Sequence, residues 1–265
     1  MSAVNAHCIT FANEKGGTGK STLALHLLVS LQRQGRRVAA VDLDFRQRTL
    51  SRYLENRAMH QPQLATVEVV VPAVSELDSR SAASGAEIAL LGDTLAQLAE
   101  SHELIIIDSP GSDSPRSQYA MAVANTLVTP LNDSLIDLDL LGRVVPGEQR
   151  IDRLSFFADA VWQARQRRAL AKLPALDWVL ARNRLTMLDA RNKRLVNDAL
   201  EELQGRVACR YISGLSERVI YRELFASGLT LLDLADAIAP IRLTSSHLAA
   251  RQELRDFIDD LQLPR

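Results

Sequence analysis

The stretch Glu-Lys-Gly-Gly-Thr-Gly-Lys-Ser-Thr, residues 14–22, combines glycines, lysines and hydroxyls at the spacing of a phosphate-binding loop. Gly16, Gly17, Thr18 and Gly19 let backbone N–H groups turn inward around phosphate oxygens, and a helix opening at Lys20 adds the positive end of its dipole. Lys20 is placed to reach the β- and γ-phosphates of a nucleotide, the Ser21 hydroxyl to meet Mg²⁺, and Thr22 to close the loop. Further on, Leu104-Ile-Ile-Ile-Asp-Ser-Pro-Gly is an apolar strand that delivers Asp108 beside a metal, followed by a loop able to sense a γ-phosphate. A second apolar run, Val38-Ala-Ala-Val-Asp-Leu-Asp, ends in Asp42 and Asp44. Strand alternation puts both on one side, near the end where ligands of such sheets bind, although a turn or cap is an alternative use of either.

These residues need a scaffold, and the hydrophobic pattern supplies one. Short apolar runs over Cys8–Phe11, Arg37–Val41, Thr66–Val71, Leu104–Ile107, Thr126–Thr129, Trp178–Ala181 and Val207–Ile212 read as strands covered on both faces. Helical periods lie between them, for example over Lys20–Gln34, Glu87–Ser101, Arg191–Gln204 and His247–Gln262, with Gly35, Gly205 and Pro264 near their ends. The expected fold is α/β: a doubly wound, mostly parallel sheet flanked by helices, as one domain over residues 1–265. Ser79–Gly85 reads as a flexible excursion and Leu154–Leu173 as a helical insertion on one rim.

The loop departs from the ordinary pattern: Glu14 stands at the first glycine position, and Lys15 adds a second lysine ahead of Lys20. In this it resembles the deviant phosphate-binding loop of the ParA/MinD superfamily. The resemblance implies that Lys15 crosses a dimer interface to the partner's ATP, that Asp44 positions the attacking water, and that Asp42 supports the magnesium shell beside Ser21 and Asp108. It also places Asn183 where adenine is held, with helix capping as the rival use of that amide. The segments beginning Pro130-Leu-Asn-Asp-Ser, Trp162-Gln-Ala-Arg, Asp177-Trp-Val-Leu, Arg218-Val-Ile-Tyr and His247-Leu-Ala-Ala are similar to the MipZ family of division-site regulators. Membership implies a slow ATPase that dimerises on ATP, binds DNA nonspecifically, associates with ParB and inhibits FtsZ assembly. The alternatives are a ParA-type partition ATPase and, in another class, a metabolic P-loop enzyme.

Charge is balanced overall, 31 Lys plus Arg against 32 Asp plus Glu, so no whole-molecule field announces a nucleic-acid partner. Residues 143–222 nonetheless carry 16 basic and 9 acidic side chains. Arg191, Lys193 and Arg194 crowd the first turn of an expected helix, where the dipole disfavours cations. With Arg206, Arg210, Arg218 and Arg222 they are candidates for DNA-backbone contact; a merely solvated face is the other reading. Two cysteines far apart suggest no disulfide framework and no iron–sulfur or zinc site, and five scattered histidines suggest no hydrolase triad. No apolar run reaches the ~20 residues of a membrane helix, and the C-terminal pattern is rich in Asp and Glu, unlike a basic membrane-binding helix. A cytoplasmic, nucleoid-associated protein without membrane contact is the expectation.

Overall fold

The computed structural model describes residues 4–75, 77–132, 137, 141–144, 151–184, 201, 204–235 and 244–264. Strands β1 (His7–Phe11), β2 (Val38–Asp42), β3 (Val69–Val70), β4 (Leu104–Asp108), β5 (Thr126–Asn132), β8 (Asp177–Asn183) and β9 (Arg210–Ser213) form one sheet in the order β3-β2-β4-β1-β5-β8-β9. Every pairing in it is parallel. Between β5 and β8 a separate antiparallel pair, β6 (Gly142–Val144) and β7 (Ile151–Leu154), was not foreseen from the hydrophobic pattern. The helices are α1 (Lys20–Arg33), α2 (Thr49–His60), α3 (Arg80–Leu98), α4 (Pro115–Val123), α5 (Phe156–Leu170), α6 (Ile220–Ser227) and α7 (Ser245–Asp260).

β2 and β4 are buried along their whole length and β1 from Cys8 onward, which is why they read as unbroken apolar runs. One face packs on α1, α2, α6 and α7 through Leu23, Leu27, Leu50, Leu224 and Phe257. The other is covered in two parts. Leu91 and Leu95 of α3 meet Ile105 and Ile107, while Phe157 and Val161 of α5 meet Leu127, Trp178 and Leu180. The helix expected over Leu154–Leu173 therefore forms and carries part of the covering layer. Ser79–Gly85 is not an excursion: Ser79 caps α3 by accepting from Ala82 N–H at 3.4 Å, and the alanines that follow extend the helix through Gly85. The expected strand Thr66–Val71 shrinks to Val69–Val70, the residues that reach Ala40 and Val41 before Pro72. The helix expected over Arg191–Gln204 lies almost entirely outside the described residues.

Two contacts lock the first face. Asp233, fully buried, accepts from Arg57 Nη1 at 2.7 Å, Arg33 Nη1 at 3.0 Å and Thr230 Oγ1 at 2.7 Å, tying α1 and α2 to the chain beyond α6. Gly228 ends α6 at φ +65, and a Cβ there would collide with the backbone of Arg57. The apolar stripe of α7, Ala250, Leu254 and Phe257, is committed to this core, leaving Asp256, Asp259 and Asp260 outward. Among the described residues no helix is long and apolar enough to cross a membrane.

His26, on the buried side of α1, bridges Thr22 O at Nδ1 (2.8 Å) and Leu231 N–H at Nε2 (3.3 Å), which requires the neutral ring. Burial lowers its pKa to about 4. The unfolded chain therefore takes up a proton near pH 6.5 that the folded chain refuses, so this contribution is complete above that pH and lost toward pH 4. The unfolding free energy should fall by about 2 kcal/mol between pH 7.5 and 5 on account of His26. Urea titrations of wild type and His26→Gln at both pH values check this; equal pH dependence in the two would refute it.

Candidate nucleotide-binding site

Parallel pairing delivers the candidate side chains to one edge. The register sets Asp42 beside Asp108 and Asp108 beside Phe11, so the two carboxylates and the start of the phosphate-binding loop share the C-terminal edge of the sheet. The loop runs from β1 to α1 with Gly17 at φ +75 and Gly19 at φ +94, conformations that admit glycine readily. Asn13 shapes its entry, donating to Pro130 O at 2.5 Å and accepting from Lys15 N–H at 2.7 Å. Beyond β4, Gly111 lies against the loop: a Cβ there would be 3.4 Å from both Glu14 O and Gly16 N.

A cleft of about 570 Å³ opens over this edge, lined by Gly16, Gly17, Lys20, Ser21, Asp44 and Asp108 among others. Lys20 is buried, and its pKa is lowered by that burial against the pull of Asp108 and Asp44. Its Nζ lies 3.3 Å from Lys15 O, across the mouth of the loop. Burial also pushes the Asp108 carboxyl up; the hydrogen bond with Ser21 opposes this, Asp42 adds to it, and Lys20 again opposes it. Asp108 Oδ1 is buried without a hydrogen-bond partner, as are Thr18 Oγ1 and Ser109 Oγ. A hydroxyl beside a carboxylate with an unused oxygen suits Mg²⁺, which keeps most of its shell as water and substrate phosphate. Among the described residues no group of three or more His, Cys, Asp or Glu is arranged to hold a metal.

The two aspartates of the β2 end take different positions. Asp44 reaches the cleft, with Oδ1 accepting from Gln47 N–H at 2.9 Å. Asp42 is fully buried behind it. Its Oδ1 accepts from Asp44 N–H at 3.0 Å, and its Oδ2 from Ser51 N–H at 2.9 Å and Ser51 Oγ at 2.8 Å. Asp42 thus holds the chain that presents Asp44 and joins it to α2. Burial raises its pKa, and the Ser51 bonds oppose the rise.

Lys15 is absent from the cleft lining and turns the other way, pairing through Nζ with Asp137. Asp137 is 2% exposed and also accepts from Asn132 N–H at 2.9 Å. No motif marked Asp137 in the sequence. Asn183 is buried at the end of β8 with its amide in use: Nδ2 donates to Thr18 O at 2.7 Å, and Oδ1 accepts from Leu215 N–H at 2.9 Å. It borders a second cavity of about 270 Å³, with Gly19, Thr22, Tyr53, Leu215 and Phe225, that shares residues with the first.

The basic candidates separate as well. Arg210 binds Asp177 Oδ2 at 2.8 Å and the carbonyls of Asp260 and Leu261, and Arg218 pairs with Glu253 and with Ser246 Oγ at 2.9 Å. Both are committed to holding α7 on the fold. Arg206 is exposed, as is Arg222, which lies 3.6 Å from Glu217. Arg191, Lys193 and Arg194 lie outside the described residues.

A family model described as ATPase MipZ matches residues 7–265. The chromosome-partitioning ATPase Soj of Thermus thermophilus is 34% identical over 133 residues, 46% of this chain and 53% of that protein. The chain spans between 53 and 65% of the length of the curated relatives it matches. Among solved structures, the ATP complex of a McdA variant from Cyanothece superposes with a TM-score of 0.65 at 17% identity, covering 99% of both chains. The septum site-determining protein MinD of Pyrococcus horikoshii with Mg-ADP gives 0.58 at 18% identity, covering 97% of both. At those identities the likeness is one of fold.

The bridging role of Asn183 is measurable without any nucleotide. Asn183→Ala leaves Thr18 O and Leu215 N–H unpaired in a buried place, and should lower the unfolding free energy by about 2 kcal/mol or more. An unchanged urea midpoint would mean that the amide contributes nothing to holding the loop.

Proposed function

Because the chain belongs to the MipZ family of ATPases, we propose that it is an ATP-dependent dimerisation switch that hydrolyses ATP slowly and positions the division site. The observation that carries the reading is the convergence of Lys20, Ser21, Asp44 and Asp108 on one cleft while Lys15 faces out of it. A lysine in the phosphate-binding loop that does not serve its own cleft is suited to serve another subunit's.

In this reading backbone N–H groups of Gly16–Lys20 and the Lys20 ammonium bind the phosphates, with the helix α1 dipole behind them. Ser21 and Asp108 would hold Mg²⁺, which would supply charge neutralisation for the phosphates. Asp44, fixed by its turn to Gln47 and by Asp42, orients the attacking water. The second cavity takes the base, with Asn183 at its floor. Two chains face each other across the nucleotides, and Lys15 leaves Asp137 to reach the partner's phosphates. Loss of the γ-phosphate removes the bridge, so hydrolysis times the return to monomers.

The family match supports DNA, ParB and FtsZ as partners and a cytoplasmic, nucleoid-associated location. Arg206 and Arg222, which are exposed, with Arg191, Lys193 and Arg194, are the cations proposed for DNA; Arg210 and Arg218 are engaged in holding α7. Similarity to Soj favours a second reading, a partition ATPase, which would share the dimer and leave FtsZ polymers intact.

Pelleting FtsZ polymers with this protein in ATP, ADP, or ATP with Asp44→Ala separates the two. Polymer loss confined to the ATP states, and strongest with Asp44→Ala, is expected; polymers unaffected in every state would favour the partition reading. Asp44→Ala should keep ATP binding while phosphate release falls at least about tenfold, and its dimer should accumulate on size exclusion. Lys15→Ala should bind ATP yet remain monomeric, and a normal ATP-dependent dimer in that variant would overturn the cross-subunit role.

A further inference from the structure

Arg116 is a cation buried to 6% exposure at the second position of α4, where the helix dipole disfavours positive charge. A local conflict of this kind calls for a tertiary reason. Its guanidinium is fixed on two sides: Nε lies 3.4 Å from Glu87 Oε2 of α3, and Nη1 donates to Pro72 O beyond β3 at 3.3 Å. The Phe45 ring also lies against it, with its centroid 5.3 Å from Arg116 Cζ. Phe45 directly follows Asp44, is 43% exposed and lines the same cleft, as does Arg116; the guanidinium of its neighbour Arg46 lies 5.6 Å from the ring centroid. Arg116 in turn belongs to the helix that continues the loop after Asp108.

We propose that Arg116 is a positioning residue for hydrolysis: stacked on Phe45, it holds the chain carrying Asp44 against the elements that follow β3 and β4. The cation–π contact joins the two segments that border the γ-phosphate position, one bearing Asp44 and the other following Asp108. Arg116 needs no contact with nucleotide to do this. Its effect falls on the orientation of Asp44, which matters in the transition state, and not on the loop that binds the phosphates. The proposal rests on the ATPase reading.

Steady-state ATP turnover and ATP affinity of Phe45→Leu, Arg116→Lys, the double variant and Phe45→Tyr test it. Phe45→Leu removes the ring, and Arg116→Lys keeps the charge while losing the planar fork. Each is expected to lower kcat about tenfold, a barrier increase of about 1.4 kcal/mol, with the Kd for ATP unchanged. The double variant should be no slower than either single one, and Phe45→Tyr should restore the wild-type rate. Multiplying effects in the double variant, a Phe45→Tyr rate as low as that of Phe45→Leu, or a loss of affinity matching the loss of rate would each overturn it. Should Arg116→Lys fail to fold, the contrast between Leu and Tyr at the exposed position 45 decides alone. Wild-type chain that releases no phosphate from ATP would overturn the ATPase reading and the proposal with it; wild-type turnover unaffected by Phe45→Leu overturns the proposal only.

Discussion

Two carboxylates set side by side at the buried edge of a sheet repel each other, and each is costly to ionise away from water. The β2–β4 register imposes that arrangement on Asp42 and Asp108, and much of the site responds to it. Asp42 is answered from within, by both donors of Ser51 and the N–H of Asp44. Asp108 is answered in part, by Ser21 and Lys20, and retains an oxygen without a partner. The first carboxylate thereby becomes structure and the second stays available for chemistry. Their difference follows from Ser51 of α2, which bonds Asp42.

The remainder of the fold keeps that edge from drifting. Helix α1 carries Lys20 and Ser21 at its first turn, and its buried flank is pinned farther along by His26 and Arg33. Asp233 collects Arg33 and Arg57, so α1 and α2 are registered against each other through a single buried anion. Asn183 performs the equivalent task from the far side of the sheet, joining the phosphate-binding loop to β8 and to the chain after β9. Residues that look like ligand contacts in isolation are in part the fasteners of the cradle.

The phosphate-binding loop, the Asp108 strand and the parallel sheet were legible in the sequence because each is a local pattern: glycine spacing, an apolar run ending in Asp, buried strands alternating with helices. What was hidden depends on partners far along the chain. Asp137 reads as one acidic residue in an unremarkable stretch until folding brings it to Lys15, and Arg116 is an ordinary arginine until Glu87, Pro72 and Phe45 surround it. The same reason misdirected the basic set. Arg210 and Arg222 are indistinguishable by type, yet Asp177 and the carbonyls ending α7 enclose the first, while the second stays exposed beside Glu217. Ser79–Gly85 was misjudged from its small polar residues, because one serine cap and a run of alanines outweigh a single glycine.

The Lys15–Asp137 pair has one more consequence under the proposed mechanism. A lysine that must abandon a buried carboxylate before it can cross to a partner sets an entry barrier to assembly, separate from the steps that follow. Residue 137 touches neither the cleft nor the water-orienting carboxylate, so changes there can shift the protein concentration at which dimers first form and leave the hydrolytic clock running at its own rate. Under that mechanism, threshold and lifetime are separately adjustable by evolution.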